Sequence, residues 1–268
     1  MPGERNQGRV AYLVSEGTYW QLWTMNPDGS EARALTRSSR EKAKVSWFPD
    51  GRQLLVNTLD GDFVRVDGAT GEEARVARIS GTTDAVVSPD GSKIAFSRSI
   101  ANSVDDNEIW VMNSDGSGAR KLTDMPGLQD QPAWHPDGSW IFFLSGDGRQ
   151  YHDIWRVNRG TGSREQLSAG AAYHYDLALS KGGRLAFANN RSGNYEIYVQ
   201  DGLELPTRVT DDPALDGSPT WSPDGTRLIF HSARGGSLNL WTVAAEGGEA
   251  TQLTDHAGGA RAPVWSHP

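Results

Sequence analysis

At 268 residues the chain has room for one or two ordinary domains, and 37% hydrophobic residues with 31 glycines suit a globular protein of short strands and tight turns. A net charge of −8 repels phosphate backbones and anionic lipid surfaces, which argues against nucleic acid as a partner. The absence of cysteine removes disulfides, thiolate metal ligands and a cysteine nucleophile together. No apolar run approaches the ~18 residues that span a bilayer, so membrane insertion is not expected. The start, MPGERNQGRV, carries neither an apolar stretch nor a cleavage site.

Residues 1–7 are polar and read as a flexible amino-terminal segment. Residues 8–268 read as one domain, because a repeat runs through them without a linker. Aligned on one position, the copies fall at Trp47, Val87, Trp134, Leu179, Trp221 and Trp265, at intervals of 40, 47, 45, 42 and 44 residues. Periods near that length, with several strands per unit, mark the blades of a β-propeller, since one blade cannot bury its own faces and must stack on neighbours.

In chain order, the first unit opens in mid-repeat: Arg9 to Val14 matches a second strand, Leu22 to Met25 a third, and Ala32 to Thr36 a fourth. The second unit is the least regular, with FVRV at Phe63 to Val66 and the acidic, lengthened EEARVARIS. Later units repeat four short β segments, as in TWS, RLIFH, LWTV and QLT of the sixth, and the chain ends on PVWSHP, a first strand. Pairing of that last strand with Arg9 to Val14 would close a ring of six blades, each of four antiparallel strands, and leave no open sheet edge.

Pro-Asp-Gly between first and second strands is turn chemistry: proline presets φ, aspartate suits the next corner and glycine takes the left-handed position. Asp28-Gly29, Asp67-Gly68 and Asp115-Gly116 are expected to do the same after third strands. Eight of the ten tryptophans fall at periodic positions, four at the anchor and Trp23, Trp110, Trp155 and Trp241 in third strands, which assigns them to packing between blades.

Short repeated turns occupy one face of such a disc, and the variable loops, where binding residues concentrate, occupy the other. Counting back from each anchor, the connections nearest the channel supply Lys42, Lys44, Thr83, Asp84, Asp130, Gln131, His174, Tyr175, Asp176, Asp216 and Arg261. This rim of mixed charge suits a peptide or polar ligand. The acidic run Asp105, Asp106 and Glu108 offers oxygens to a calcium ion without the spacing of a calcium loop. His152, His174, His231 and His256 lie near the variable face, and three imidazoles with an open position would make a catalytic metal site. GxSxG, HExxH and P-loop signatures are absent.

Units of the form PxWSPDGxxIxF followed by IWxMxxDGSxxRxLT, closest at Pro132 to Trp134, Pro219 to Trp221 and Pro263 to Trp265, resemble the TolB-like propeller repeats, also called PD40 repeats. The resemblance spans nearly the whole chain and implies a six-bladed propeller. In the family's namesake this domain is periplasmic and binds the peptidoglycan-associated lipoprotein through the open face around the channel. Oligogalacturonate lyases carry similar repeats with histidines on a metal. The expected function is therefore a non-enzymatic module, a monomer without a cofactor, that binds a protein or peptide segment on the variable face. Its expected location is periplasmic or secreted, with nothing in the chain excluding the cytoplasm. The alternative is a metal-dependent carbohydrate lyase or hydrolase with an ion in the channel held by His174, His231 and His256.

Overall fold

The computed structural model describes residues 8–99, 106–146, 152–168 and 173–267. The segment 1–7, expected to be flexible, lies outside the described residues. Blade one begins with β1 (Val10–Glu16), β2 (Tyr19–Met25) and β3 (Arg33–Ala34). Blade two is β4 (Lys42–Trp47), β5 (Gln53–Thr58), β6 (Asp62–Asp67) and β7 (Glu73–Arg78), and blade three β8 (Thr82–Val87), β9 (Lys93–Ser99), β10 (Asn107–Asn113) and β11 (Arg120–Lys121). Blade four is β12 (Leu128–Trp134), β13 (Trp140–Gly146), β14 (Asp153–Asn158) and β15 (Arg164–Gln166). Blade five is β16 (His174–Leu179), β17 (Leu185–Asn189), β18 (Glu196–Gln200) and β19 (Thr207–Arg208). Blade six is β20 (Asp216–Trp221), β21 (Arg227–Ser232), β22 (Asn239–Ala244) and β23 (Thr251–Gln252), after which β24 (Ala260–Trp265) returns to blade one.

The result is six separate four-stranded antiparallel sheets, one of them ordered β24-β1-β2-β3. Ring closure has the expected pairing. Val10 lies opposite Trp265 and Ala11 opposite Val264. Beyond the strand, Ser266 N donates to Arg9 O at 2.9 Å and Arg9 N donates to Ser266 Oγ at 2.8 Å. Both edges that a linear repeat would leave exposed are thereby paired.

Middle strands are apolar on both faces because both faces are covered by neighbouring blades. Leu228, Ile229 and Phe230 are consecutive in β21 and all fully buried. Leu228 and Phe230 pack with Ala186, Ile197 and Val199 of blade five, while Ile229 packs with Val10 and Tyr12 of blade one. The core is thus a set of wedges between blades, and burial of ~25 cal/mol per Å² of apolar surface is shared around the ring.

Two side-chain devices recur among the blades. In the first hairpin, the aspartate of Pro-Asp-Gly accepts from the backbone N–H two residues on, as Asp50 does from Arg52 at 2.9 Å and Asp224 from Thr226 at 3.1 Å, and the glycine is left-handed, with Gly225 at φ 71°. The Ser88 hydroxyl, then the Ser92 N–H, hold Asp90 down at about 2, and against burial the Ser139 N–H and hydroxyl hold Asp137 at about 2. In the second, the hydroxyl that follows the fourth strand accepts from the third-strand backbone, as Thr36 does from Leu22, Thr123 from Ile109 and Thr210 from Ile197. This is the physical reason for the recurring Leu-Thr. One turn differs from expectation: after β6, Asp67 accepts from Ala69 and Thr70, and Gly71, not Gly68, takes the left-handed position at φ 76°. A Cβ on Gly71 would lie 2.0 Å from the Leu35 carbonyl oxygen.

The channel as candidate binding site

The inner strands β4, β8, β12, β16, β20 and β24 form the wall of the channel. β4 shifts register between Lys42 and Lys44 without a left-handed residue there, and near its start each of β8, β12, β16, β20 and β24 shifts against its partner, for example between Asp130 and Ala133 and between Tyr175 and Ala178. At the shift the residue three before the anchor is left-handed: Asp84 at φ 57°, Gln131 at 51°, Asp176 at 58°, Ser218 at 49° and Ala262 at 52°. Such bulges interrupt the two-residue alternation and re-aim side chains.

That interruption sorts the residues expected at the rim into three levels. Five before the anchor, Lys42, His174 and Asp216 are buried. Lys42 Nζ donates to Gln21 Oε1 at 3.1 Å, His174 Nδ1 meets the His152 carbonyl at 2.7 Å, and Asp216 accepts from Arg234 at 2.6 Å. Burial lowers the proton affinity of both Lys42 and His174. Lys42 and His174 thereby tie neighbouring blades together inside the wall, while Asp216 is held within blade six. Four before the anchor, Thr83, Asp130, Tyr175 and Arg261 are half-buried, and three before it so are Lys44, Asp84, Gln131 and Asp176.

The level three before the anchor is tied together across blades. Gln131 Oε1 accepts from Asp176 N at 2.5 Å, and Asp176 Oδ2 accepts from Ser218 N at 2.9 Å. Burial, then the fields of Asp84 and Asp176, push Asp130 up to about 7, with Lys44 opposing. Asp84 is raised by burial in the same way, against the pull of Lys44. Asp84, Asp130 and Asp176 therefore act on one another electrostatically at this waist of the channel.

Beyond the waist, towards the short turns, the channel widens into a cavity of about 480 Å³ lined by Trp47, Trp134, Trp265 and by Pro132, Pro219 and Pro263. Its far rim includes the exposed Pro49, Pro89 and Lys181. Sequence reasoning placed the binding face at the other mouth and missed this cup. The signal was present in the repeated Pro-x-Trp.

The histidines occupy separate settings. His174 packs on Phe187, with ring centroids 5.3 Å apart. His231 lies over Gly217, whose missing Cβ would sit 2.7 Å from Nε2. His256 meets the Tyr12 hydroxyl at 3.3 Å and stands edge-on to Trp23 at 4.9 Å. Burial lowers the proton affinity of His231 and His256. Among the described residues no three His, Asp or Glu side chains gather as a metal ligand set. In the acidic run, Asp105 lies outside the described residues, and Glu108 is engaged with Thr123 Oγ1 at 2.5 Å and Met125 N at 3.3 Å.

Six blades and closure through the last strand define the molecule as a closed six-bladed β-propeller. Residues 5–268 match the family model described as the TolB beta propeller domain, and the chain belongs to that PD40 family. It is 33% identical over 129 residues to the Tol-Pal system protein TolB of Anaeromyxobacter dehalogenans (strain 2CP-C), covering 47% of this chain and 29% of that protein. It is 30% identical over 146 residues to the protein TolB homolog of Chlorobium chlorochromatii (strain CaD3), covering 54% of this chain and 32% of that protein. The crystal structure of TolB from Acinetobacter baumannii superposes with a TM-score of 0.85 at 24% identity, over 97% of this chain and 66% of that one, a likeness of fold. The matches to these curated relatives thus span about a third of their length or less. No helix among the described residues is long and apolar enough to cross a membrane.

Proposed function

We propose that residues 8–268 act as a single non-enzymatic binding unit that receives a segment of another protein at the channel mouth on the variable-loop face. The observation that carries this is the waist itself. Asp84, Asp130, Gln131, Asp176, Lys44, Tyr175 and Arg261 project at two levels from bulged backbone, and the Gln131 to Asp176 to Ser218 chain of hydrogen bonds fixes their geometry in advance. Polar groups ordered before the ligand arrives lose little entropy on binding.

Relatives named as Tol-Pal system protein support a protein partner and a periplasmic site of action. The net charge of −8 disfavours nucleic acid. A monomer is the working unit, which light scattering tests directly. The alternative of a metal-dependent carbohydrate lyase or hydrolase draws no support from the three settings of His174, His231 and His256.

An array of peptides probed with the intact chain tests the reading. Ligands should appear, and Asp130→Lys and Arg261→Glu should each weaken them about tenfold or more, as loss of a partly buried ionic contact does. An array that yields no ligand for the folded chain overturns protein-segment binding. Ligands indifferent to both reversals overturn the choice of mouth.

A further inference from the structure

The cup at the short-turn end of the channel plays no part in the binding proposed above. Its volume of about 480 Å³ is that of a site able to enclose a drug-sized body or a few large side chains. Trp47, Trp134 and Trp265 line it together with the half-buried Val86, Ala178 and Val264, so its wall is apolar. The indole N–H groups of Trp47 and Trp134 are engaged by the Val264 and Val86 carbonyls, at 3.0 and 3.2 Å, which leaves those rings as apolar surface. Lys44, Gln131 and Asp176 of the waist line its inner end.

The mouth of the cup is built from turns that touch. A Cβ on Gly91 would stand 3.2 Å from Pro49 Cδ, and one on Gly183 3.2 Å from His135 Nε2, so the turn of one blade abuts that of the next. Four of these turns carry an exposed aspartate, Asp50, Asp90, Asp137 and Asp224, while Lys181 and Gly182 replace Pro-Asp in the fifth. The whole face shares that sign. Its eleven turns, between first and second strands and between third and fourth, hold twelve Asp and Glu against four Lys and Arg, a net of −8. That equals the net charge of the entire chain, so the excess is concentrated on this side. Further out on the same face, between β18 and β19, Leu203 and Leu205 are 87% and 90% exposed, the most exposed large apolar side chains among the described residues. Apolar surface inside a charged border marks a protein contact, and here it extends beyond what a small molecule in the cup would cover.

We propose that the cup and its acidic collar form a second docking site, for a segment of a partner protein that places one or two large apolar side chains in the cup and flanking lysine or arginine residues against the collar. The apolar wall supplies the anchor, and the collar steers a basic segment towards it and repels an acidic one. This site stands back to back with the variable-loop mouth on one axis and does not depend on it.

Random heptapeptides displayed on phage are selected on the intact chain, and the recovered peptides are titrated by fluorescence polarisation against it and two variants. Val86→Phe adds a ring to the wall of the cup and leaves the collar as it is. The triple change Asp50→Asn, Asp137→Asn and Asp224→Asn removes three charges and keeps the side-chain oxygen that each turn uses. Peptides that join Leu, Phe or Trp to Lys or Arg should be recovered. Val86→Phe should weaken them about tenfold or more, as loss of an anchor pocket does. The triple variant should weaken them roughly three- to tenfold, with the gap from the parent closing as salt is raised. Circular dichroism checks both folds, and Ala178→Leu repeats the wall test should Val86→Phe not fold. No peptide, or peptides indifferent to both variants, overturns the site. Peptides that need the wall but carry no basic residue overturn the basic partner. A selection made up only of peptides that respond to Asp130→Lys and Arg261→Glu overturns the cup while leaving the variable-loop mouth standing.

Discussion

Trp221 donates its indole Nε1–H to the backbone carbonyl of Ala178, 3.2 Å away in the preceding blade. The same bond runs from Trp134 to Val86 at 3.2 Å and from Trp47 to Val264 at 3.0 Å, in each case to the residue just before the neighbouring anchor. Where that residue has a hydroxyl, the anchor still donates but from its backbone to the side chain: Val87 N donates to Ser46 Oγ and Trp265 N to Thr220 Oγ1, both at 3.1 Å. Trp47, Val87, Trp134, Trp221 and Trp265 thus do two jobs, filling the wedge and tying one inner strand to the next.

Trp221 separates those jobs. Trp221→Ala should cost about 3–5 kcal/mol through lost burial and the cavity left behind. Trp221→Phe keeps much of the apolar contact but strips the Ala178 carbonyl of its donor, for about 1–3 kcal/mol. Equilibrium urea denaturation gives both values, and a Trp221→Phe protein as stable as the parent would show that the indole N–H contributes nothing.

Thr210 links third and fourth strands in blade five, accepting from Ile197 N at 2.9 Å and donating to Glu196 Oε2 at 2.7 Å. Glu196 is 1% exposed. Thr210→Val leaves a buried N–H and a buried carboxylate each short of a partner and should cost about 2–4 kcal/mol. Thr210→Ser keeps the hydroxyl and should cost markedly less in the same denaturation series.

Ring closure is testable by deleting residues 260–268. Without β24 the first blade loses its inner strand and β1 presents an unpaired edge. The truncated chain should lose its sharp thermal transition and elute as aggregates in gel filtration. A monomer with an unaltered melt would mean that the last strand is dispensable.

Asp130 makes stability depend on pH in a direction opposite to that of the turn aspartates. Its folded value of about 7 lies above the ordinary 3.8, so the folded protein holds a proton that the unfolded chain releases. Its contribution is complete below about pH 4 and is lost as pH rises through about 7. Asp130→Asn should therefore be the more stable form at pH 8, by on the order of 1–2 kcal/mol. A tenfold change in proton affinity is worth ~1.4 kcal/mol, and solvent in the channel screens part of it. The difference should vanish by pH 4. Asp90 and Asp137, held near 2, act the other way, and what they contribute fades as pH falls below about 4. Thermal melts of both forms from pH 4 to 8 check the crossing.

The blades, their number and the closing strand were readable from residues alone because each depends on local order: Pro-Asp-Gly makes its own hairpin, Trp221 and its counterparts recur at one offset, and PVWSHP lacks only the strands already supplied by Arg9 to Val14. Offsets within an inner strand were another matter. His174 and Asp216 look equivalent to Tyr175 and Arg261 until a left-handed residue interrupts the alternation, and Lys42 to Lys44 until β4 shifts register between them, which turns the first of each into the wall. No pattern of residue types announces that bulge, since aspartate, glutamine, serine and alanine all occupy it.

What the sequence determined by itself, then, is the ring, since a wedge that cannot bury its own faces requires neighbours. Only the tertiary structure decided which side chains meet around the axis, because Asp130 and Tyr175 are 45 positions apart in the chain and come together solely through the stacking of one blade on the next.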